Sequence, residues 1–178
     1  MPAPTVILIT GASAAGKSTI AQALAERLPK AVHLRGDAFR KMIVTGRAAA
    51  DADPLPEAFV AQLELRYAIA CDVAERYATA GFQVVYQDVI LGGYLQQVVD
   101  RVRPLGLAVV VLDPGPETVA DREAGRGKTA YRGDWTAEGM VRGLRETTPR
   151  LGLWLDTSRL GVAETVDAIL ARLDDAQV

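Results

Sequence analysis

The sequence predicts an α/β fold: a mainly parallel five-stranded sheet with helices on both faces, in three layers. Short β-branched apolar runs alternate along the chain with segments of helical periodicity. The first of them, Thr5 to Thr10, lacks polar alternation, as a parallel strand covered on both sides does. The first run ends in a loop of small residues that opens into a helix.

Thr5 to Thr10 (TVILIT) reads as the first strand and Gly11 to Gly16 as the loop. Ile20, Leu24 and Leu28, four residues apart, mark a helix that Pro29 ends. Ala31 to Arg35 is the second strand, and Asp37 to Val44 a short helix. Residues 45–56 carry two prolines and read as loop. From Glu57 to about Ala80, Phe59, Leu63, Tyr67, Ala70, Ala74 and Tyr77 trace one helical stripe, which Gly81 stops. Phe82 to Asp88 is the third strand, Tyr94 to Val102 a helix, and Leu107 to Leu112 the fourth strand. Pro116 to Glu123 starts another helix; residues 125–135 are polar, Gly-rich and basic, and Thr136 to Glu146 resumes a helix. Leu151 to Leu155 is the fifth strand, and Val162, Val166, Ile169, Leu170 and Leu173 make a closing amphipathic helix. Ligands of such sheets bind outside the carboxyl ends of the strands, so the chemistry should converge there.

The 178 residues suit a single domain, 1–178, with a sizeable core: 49% are apolar and 24% charged. A net charge of -2 argues against a protein that lives on nucleic-acid phosphates through a global basic field. One cysteine, Cys71, makes no internal disulfide, and one histidine, His33, makes no multi-histidine metal cage. Carboxylates, hydroxyls, Lys and Arg are left to do the chemistry. No apolar stretch approaches the roughly 18 residues of a membrane span, and the N-terminus has no basic n-region. The expected location is the cytoplasm, with no membrane partner.

Gly11-Ala12-Ser13-Ala14-Ala15-Gly16-Lys17-Ser18 fits the phosphate-binding pattern Gly-x-x-x-x-Gly-Lys-Ser/Thr, between a strand and a helix. Glycines and small residues let backbone N–H groups curl around phosphate oxygens. The helix that follows aims its positive end at the same anion. Lys17 is expected on the β- and γ-phosphates, the Ser18 hydroxyl on Mg²⁺, and Thr19 on the α-phosphate. The fold class is thus a P-loop NTPase fold, with ATP and Mg²⁺ as cofactors. The chain is too short for a AAA+ or helicase engine and lacks an Asn-Lys-x-Asp guanine-reading motif, which leaves a small-molecule kinase.

Asp37 follows the second strand and is the first choice for the carboxylate that orients the acceptor hydroxyl and takes its proton. The alternative is that it only caps the short helix. Arg40, three residues on, shares its helical face and can hold the acceptor or a phosphate. Asp88 ends the third strand, like a Walker B acid, to hold an Mg²⁺-bound water or position the acceptor. Asp113 ranks lower because turn residues follow it at once. Arg122, Arg126, Lys128 and Arg132 suit a short basic lid over 122–135, with Arg122 and Arg126 stabilising charge on the moving phosphoryl group. Cys71, His33 and Trp154 read as structural, as does Trp135, with stacking on a ring as its alternative.

With these pieces in hand, the chain resembles the P-loop small-molecule kinases, most nearly chloramphenicol phosphotransferase-like proteins, and more distantly the zeta-toxin, adenylylsulfate kinase and gluconate kinase groups. The likeness rests on GASAAGKS (11–18), Asp37 in GDAFR, QDVILGG (87–93) and DREAGRGK (121–128). It implies transfer of the γ-phosphoryl of ATP to a hydroxyl of a small molecule, an antibiotic among the candidates. It maps the base onto Asp37, the Mg²⁺ hydroxyl onto Ser18 and the lid arginines onto Arg122 and Arg126. Asp156-Thr157-Ser158 stands where many such kinases touch the adenine. Residues 37–66, the acceptor side, are where the likeness stops: 41–66 carry none of it. Arg35, Arg40, Arg47 and Arg66 make that region more basic than a neutral drug requires, so an anionic acceptor stays open. A kinase of nucleotides or nucleic-acid ends, and a non-catalytic ATP-binding regulatory module, are the competing readings.

Overall fold

The computed structural model describes residues 3–52, 54–125 and 136–178. Five strands, β1 (Val6–Gly11), β2 (Ala31–Arg35), β3 (Gln83–Gln87), β4 (Leu107–Leu112) and β5 (Leu153–Leu155), form one sheet in the order β2-β3-β1-β4-β5. All four strand pairs are parallel. The C-terminal end adds an antiparallel bridge between Ala108 and Gln177. Every residue of β1 and β4 is buried, which is why these strands read as continuous apolar runs.

The helices are α1 (Lys17–Glu26), α2 (Asp37–Lys41), α3 (Glu57–Thr79), α4 (Gly93–Val102), α5 (Pro116–Ala124), α6 (Ala137–Thr147) and α7 (Val162–Ala171). On one face of the sheet, Ile7, Ile9, Val85, Val110 and Leu112 pack with Ile20 and Leu24 of α1 and Val166 and Ile169 of α7. On the other, Val6, Leu8, Val84 and Tyr86 pack with Tyr67, Ala70 and Ala74 of α3 and Leu95, Val98 and Val99 of α4. The period-2 alternation of strand side chains thus divides each strand between two cores.

Three element expectations change. The short helix after Asp37 ends at Lys41, and Val44 is 92% exposed. Tyr77 leaves the buried stripe of α3, 42% exposed, and meets Phe82 edge-to-face. The fifth strand is only three residues long, because Gly152 has a positive φ of 64° and its Cα approaches the Val109 carbonyl too closely for a Cβ. Cys71 is buried and its thiol is pushed up to about 11 by that burial. His33 is half-buried and its Nδ1 hydrogen-bonds Gln22 at 2.8 Å. Trp154 is half-buried, with the Arg150 guanidinium 4.0 Å from its ring centroid.

Leu24 is fully buried between α1, the sheet and α7. Leu24→Ala should cost about 2–5 kcal/mol in chemical denaturation, whereas Val44→Ala should stay within about 0.5 kcal/mol.

Candidate nucleotide and acceptor site

The loop after β1 takes three positive φ angles, at Gly11 (144°), Ala14 (62°) and Gly16 (96°). Gly11 is needed for space as well as conformation, because a Cβ there would lie 2.4 Å from the Leu112 carbonyl oxygen. Ala12 and Ala14 turn their methyls outward from the loop and bury them against Val119 of α5 and Val141 of α6. The loop is therefore held from behind by apolar contact, leaving its inner rim to backbone N–H groups at the start of α1. The Lys17 ammonium lies on this rim, donating to the carbonyls of Gly11 (3.0 Å) and Ala12 (2.7 Å).

One side of the loop opens into a cleft of about 350 Å³ lined by Ala14, Gly16, Thr19, Arg122, Thr157 and Leu160, among others. Arg122 bridges its two walls, donating to the carbonyls of Ala15 (3.1 Å) and Thr157 (3.0 Å). The loop after β5 is closed by an Asp–Ser turn, in which Asp156 Oδ1 accepts from the Ser158 amide (2.8 Å) and hydroxyl (2.5 Å). These bonds hold the Asp156 carboxyl below its usual range. The rest of the basic segment, with Arg126, Lys128, Arg132 and Trp135, lies outside the described residues.

The other side of the loop faces the ends of β3 and β2. Gln87 is level with Ile9 of β1 and with Arg35 of β2. Asp88 follows on β3, and Asp37 stands two residues past Arg35. Ser18 donates to Gln87 Oε1 at 3.3 Å, so the side chain that meets the Ser18 hydroxyl is neutral Gln87, not Asp88. Asp88 instead turns towards α3, where its Oδ2 lies 3.1 Å from Arg66 Nε. Arg66 and Asp88 side chains are 11% and 3% exposed, a buried ion pair. Asp88 also accepts from the Val89 amide at 2.8 Å. It lies directly over Gly36, where an added Cβ would come within 1.9 Å of Oδ2. Gly36 keeps an ordinary φ of -61°, so this glycine is required for clearance alone.

Asp37 is the first residue of α2, whose N-cap position is Gly36, so Asp37 does not act as the capping side chain. Its carboxylate pairs with Lys41 one turn on, and Arg35 Nε lies 3.7 Å away. Partial burial pushes the Asp37 carboxyl up, but the Lys41 hydrogen bond and the charges of Lys41, Arg35 and Arg66 outweigh it and hold the group below the usual carboxylate range. Asp88 goes the other way. Burial dominates over the pull of Arg66, the Val89 amide and Lys17, the Asp37 charge adds to it, and the carboxyl is pushed up to about 6. Arg40 turns away from Asp37 to donate to the Ala48 carbonyl at 2.8 Å, with Phe59 beneath its guanidinium. Asp113 receives both contacts of Arg145 Nε, at 2.9 and 3.2 Å, on the far side of the sheet end.

Two residues of this site, Gln87 and Arg66, escape motif reading. Gln87 opens the QDVILGG stretch without a role of its own there, yet strand parity points it to α1. Arg66 sits in a helix that reads as amphipathic, and only its burial beside Asp88 separates it from surface arginines. For a magnesium ion, the donors at the loop rim fit the chemistry: the Ser18 hydroxyl and the Gln87 amide oxygen are hard oxygen ligands. Among the described residues no group of three or more His, Cys, Asp or Glu gathers to hold a metal unaided. Among them, too, no helix is long and apolar enough to cross a membrane.

Comparison with known proteins places this geometry. No curated protein sequence matches the chain. The structure is similar to Mycobacterium tuberculosis APS kinase in complex with AMPPNP and APS (TM-score 0.68, 18% identity, 98% of this chain and 99% of that one). It is similar to a gluconokinase from Sinorhizobium meliloti (TM-score 0.63, 25% identity, 96% and 92%). It is similar as well to the tunicamycin resistance protein of Deinococcus radiodurans (TM-score 0.67, 19% identity, 99% and 98%). The family described as "AAA domain" matches residues 6–145, the span from β1 to α6 that carries the loop, Asp37, Asp88 and Arg122. By that match, and with a P-loop kinase-like fold, the chain belongs to the AAA domain family.

Proposed function

We propose that the protein is an ATP- and magnesium-dependent phosphotransferase that moves the γ-phosphoryl group to a hydroxyl of a small molecule. The observation that carries this reading is the parallel register that sets the Lys17 loop, Gln87–Asp88 and Asp37 side by side at one sheet end. The backbone rim of residues 11–18 and the start of α1 cradle the phosphates. Lys17, which lies on two loop carbonyls, has carbonyl oxygens to exchange for phosphate oxygens. Ser18, with Gln87 behind it, would hold the magnesium ion, with Asp88 as the acid at the neighbouring strand end. The ion, when bound, neutralises charge on the β- and γ-phosphates.

Asp37 orients the acceptor. The hydroxyl oxygen forms the new bond to the γ-phosphorus as the bond to the bridging oxygen of ADP breaks. The proton passes to Asp37, which is ionised at neutral pH. A loose transition state asks little basicity of this group and much positioning, which Lys41 and Arg35 supply. Arg122, and Arg126 beyond it, serve the transferring charge; Arg122 must first leave the carbonyls of Ala15 and Thr157. An antibiotic acceptor agrees with the likeness to chloramphenicol phosphotransferase-like proteins, and the tunicamycin resistance protein is one relative of this shape.

Asp37→Asn should leave the affinity for AMPPNP unchanged and lower transfer about 10²–10⁴-fold, while Lys17→Ala should weaken both. Normal turnover by Asp37→Asn would remove the base assignment. Asp88 yields a second expectation through linkage. Its folded pKa lies above that of an unfolded aspartate, so the folded chain holds the proton more tightly. The stabilisation is full below about pH 4 and lost as pH rises through about 6. The Tm of Asp88→Asn relative to the wild type should therefore climb between about pH 4 and 7 and stay level above. A gap that ignores pH would mean Asp88 titrates as an exposed acid.

A further inference from the structure

We propose that the acceptor of this phosphotransferase carries an anionic group, a carboxylate or a phosphate, held by Arg40 and Arg47 at the outer end of the acceptor side. The inference rests on the reading of the site as a kinase, and adds the chemical class of its substrate.

The argument begins with a loop built to hold one residue. Gln62 of α3 reaches the 46–48 segment twice. Its Nε2 donates to the Gly46 carbonyl at 2.8 Å, and its Oε1 accepts from the Ala48 amide at 2.9 Å. Arg40 adds the third tie, to the Ala48 carbonyl. Arg47 is thus clamped by its backbone on both sides, and its side chain is exposed. The same bonds bring it beside Arg40. Arg66 stands one helical turn after Gln62 on α3, so three guanidiniums gather around one corner. Their crowding shows in Arg40: burial lowers its proton affinity, and the charges of Arg47 and Arg66 lower it further.

Elsewhere some of the arginines are neutralised one to one. Arg27 pairs with Asp167, Arg101 with Asp72, Arg145 with Asp113 and Arg172 with Asp175. At this corner the nearby carboxylates are already taken. Asp37 is taken by Lys41 and Arg35, and Asp88 by Arg66. Arg40 and Arg47 make no ion pair among the described residues. Like charges brought together by dedicated hydrogen bonds cost stability unless a counter-charge joins them. Arg40 lies one turn along α2 from Asp37, so a molecule with its hydroxyl at Asp37 has its far end within reach of this pair. A planar guanidinium pair matches a carboxylate or phosphate by geometry as well as charge. Phe59, under Arg40, offers an apolar surface beside the guanidinium.

Two arms test this. In the first, the phosphate loop is filled with AMPPNP and magnesium, and sulfate is titrated against chloride at constant ionic strength. A saturable rise in Tm is expected in the wild type and is expected to vanish in the folded Arg40→Gln/Arg47→Gln double variant. Equal shifts in both proteins, or none in either, overturn the anion site. In the second, γ-labelled ATP is offered with matched acceptors: gluconate against glucose, glucose 6-phosphate against glucose, glycerate against glycerol. Transfer is expected to favour the anionic member, with its KM raised at least tenfold by Arg47→Gln and the KM for ATP unchanged. The gluconate and glucose 6-phosphate arms separate carboxylate from phosphate. Preference for the neutral members overturns the inference and leaves the kinase reading standing. Sulfate binding with no transfer to any acceptor leaves the anion site standing and overturns both the kinase reading and the assignment of that site to an acceptor.

Discussion

The site depends on one constraint, the parallel register of β2, β3 and β1. Three strands that run the same way and start level also end level, and here they end on the phosphate loop, on Gln87–Asp88 and on Asp37. No helix has to bend and no side chain has to reach across the molecule to bring these groups together. The two cores hold the register, since a slip by one residue would exchange the faces of β3 and bury Gln87 against Tyr67, Ala70 and Ala74 of α3.

Around that junction the charges divide the labour of two aspartates. Asp37 is half in water and surrounded by cations, which keep it ionised. Asp88 is almost wholly buried, and its arginine partner does not fully offset the cost of charging it. Two carboxylates with opposite shifts, close enough to feel one another, suit different tasks. In the proposed reaction the exposed one is the group for a substrate hydroxyl, while the buried one braces the strand end beside the loop. Gly36 permits the arrangement by giving up its side chain to the Asp88 carboxylate.

The phosphate loop shows how a motif and its packing serve different ends. The glycines answer the backbone: positive φ at Gly11 and Gly16, and contact with the Leu112 carbonyl at Gly11. The alanines answer the neighbours, since Ala12 and Ala14 are buried against α5 and α6. Arg122 ties the same helix to the loop and to the segment after β5. The cradle is thereby shaped in advance, which lowers the ordering cost of binding a triphosphate.

What the sequence determined alone was local. Apolar runs without alternation mark β1 and β4, because parallel strands buried on both faces have no polar positions to show. The loop was legible because its backbone shape admits few residue types. Asp37 was placed by its position after a strand. What only the tertiary structure decided was partnership. Gln87 rather than Asp88 meets Ser18 because strand side chains alternate and α1 covers the face to which Val85 and Gln87 point. Arg66 meets Asp88 because α3 covers the other face. Which helix covers which face follows from strand order, a long-range choice that no window of residues contains. The ends of α2 and β5 were likewise set by neighbours: Gly152 against Val109, and exposure at Val44.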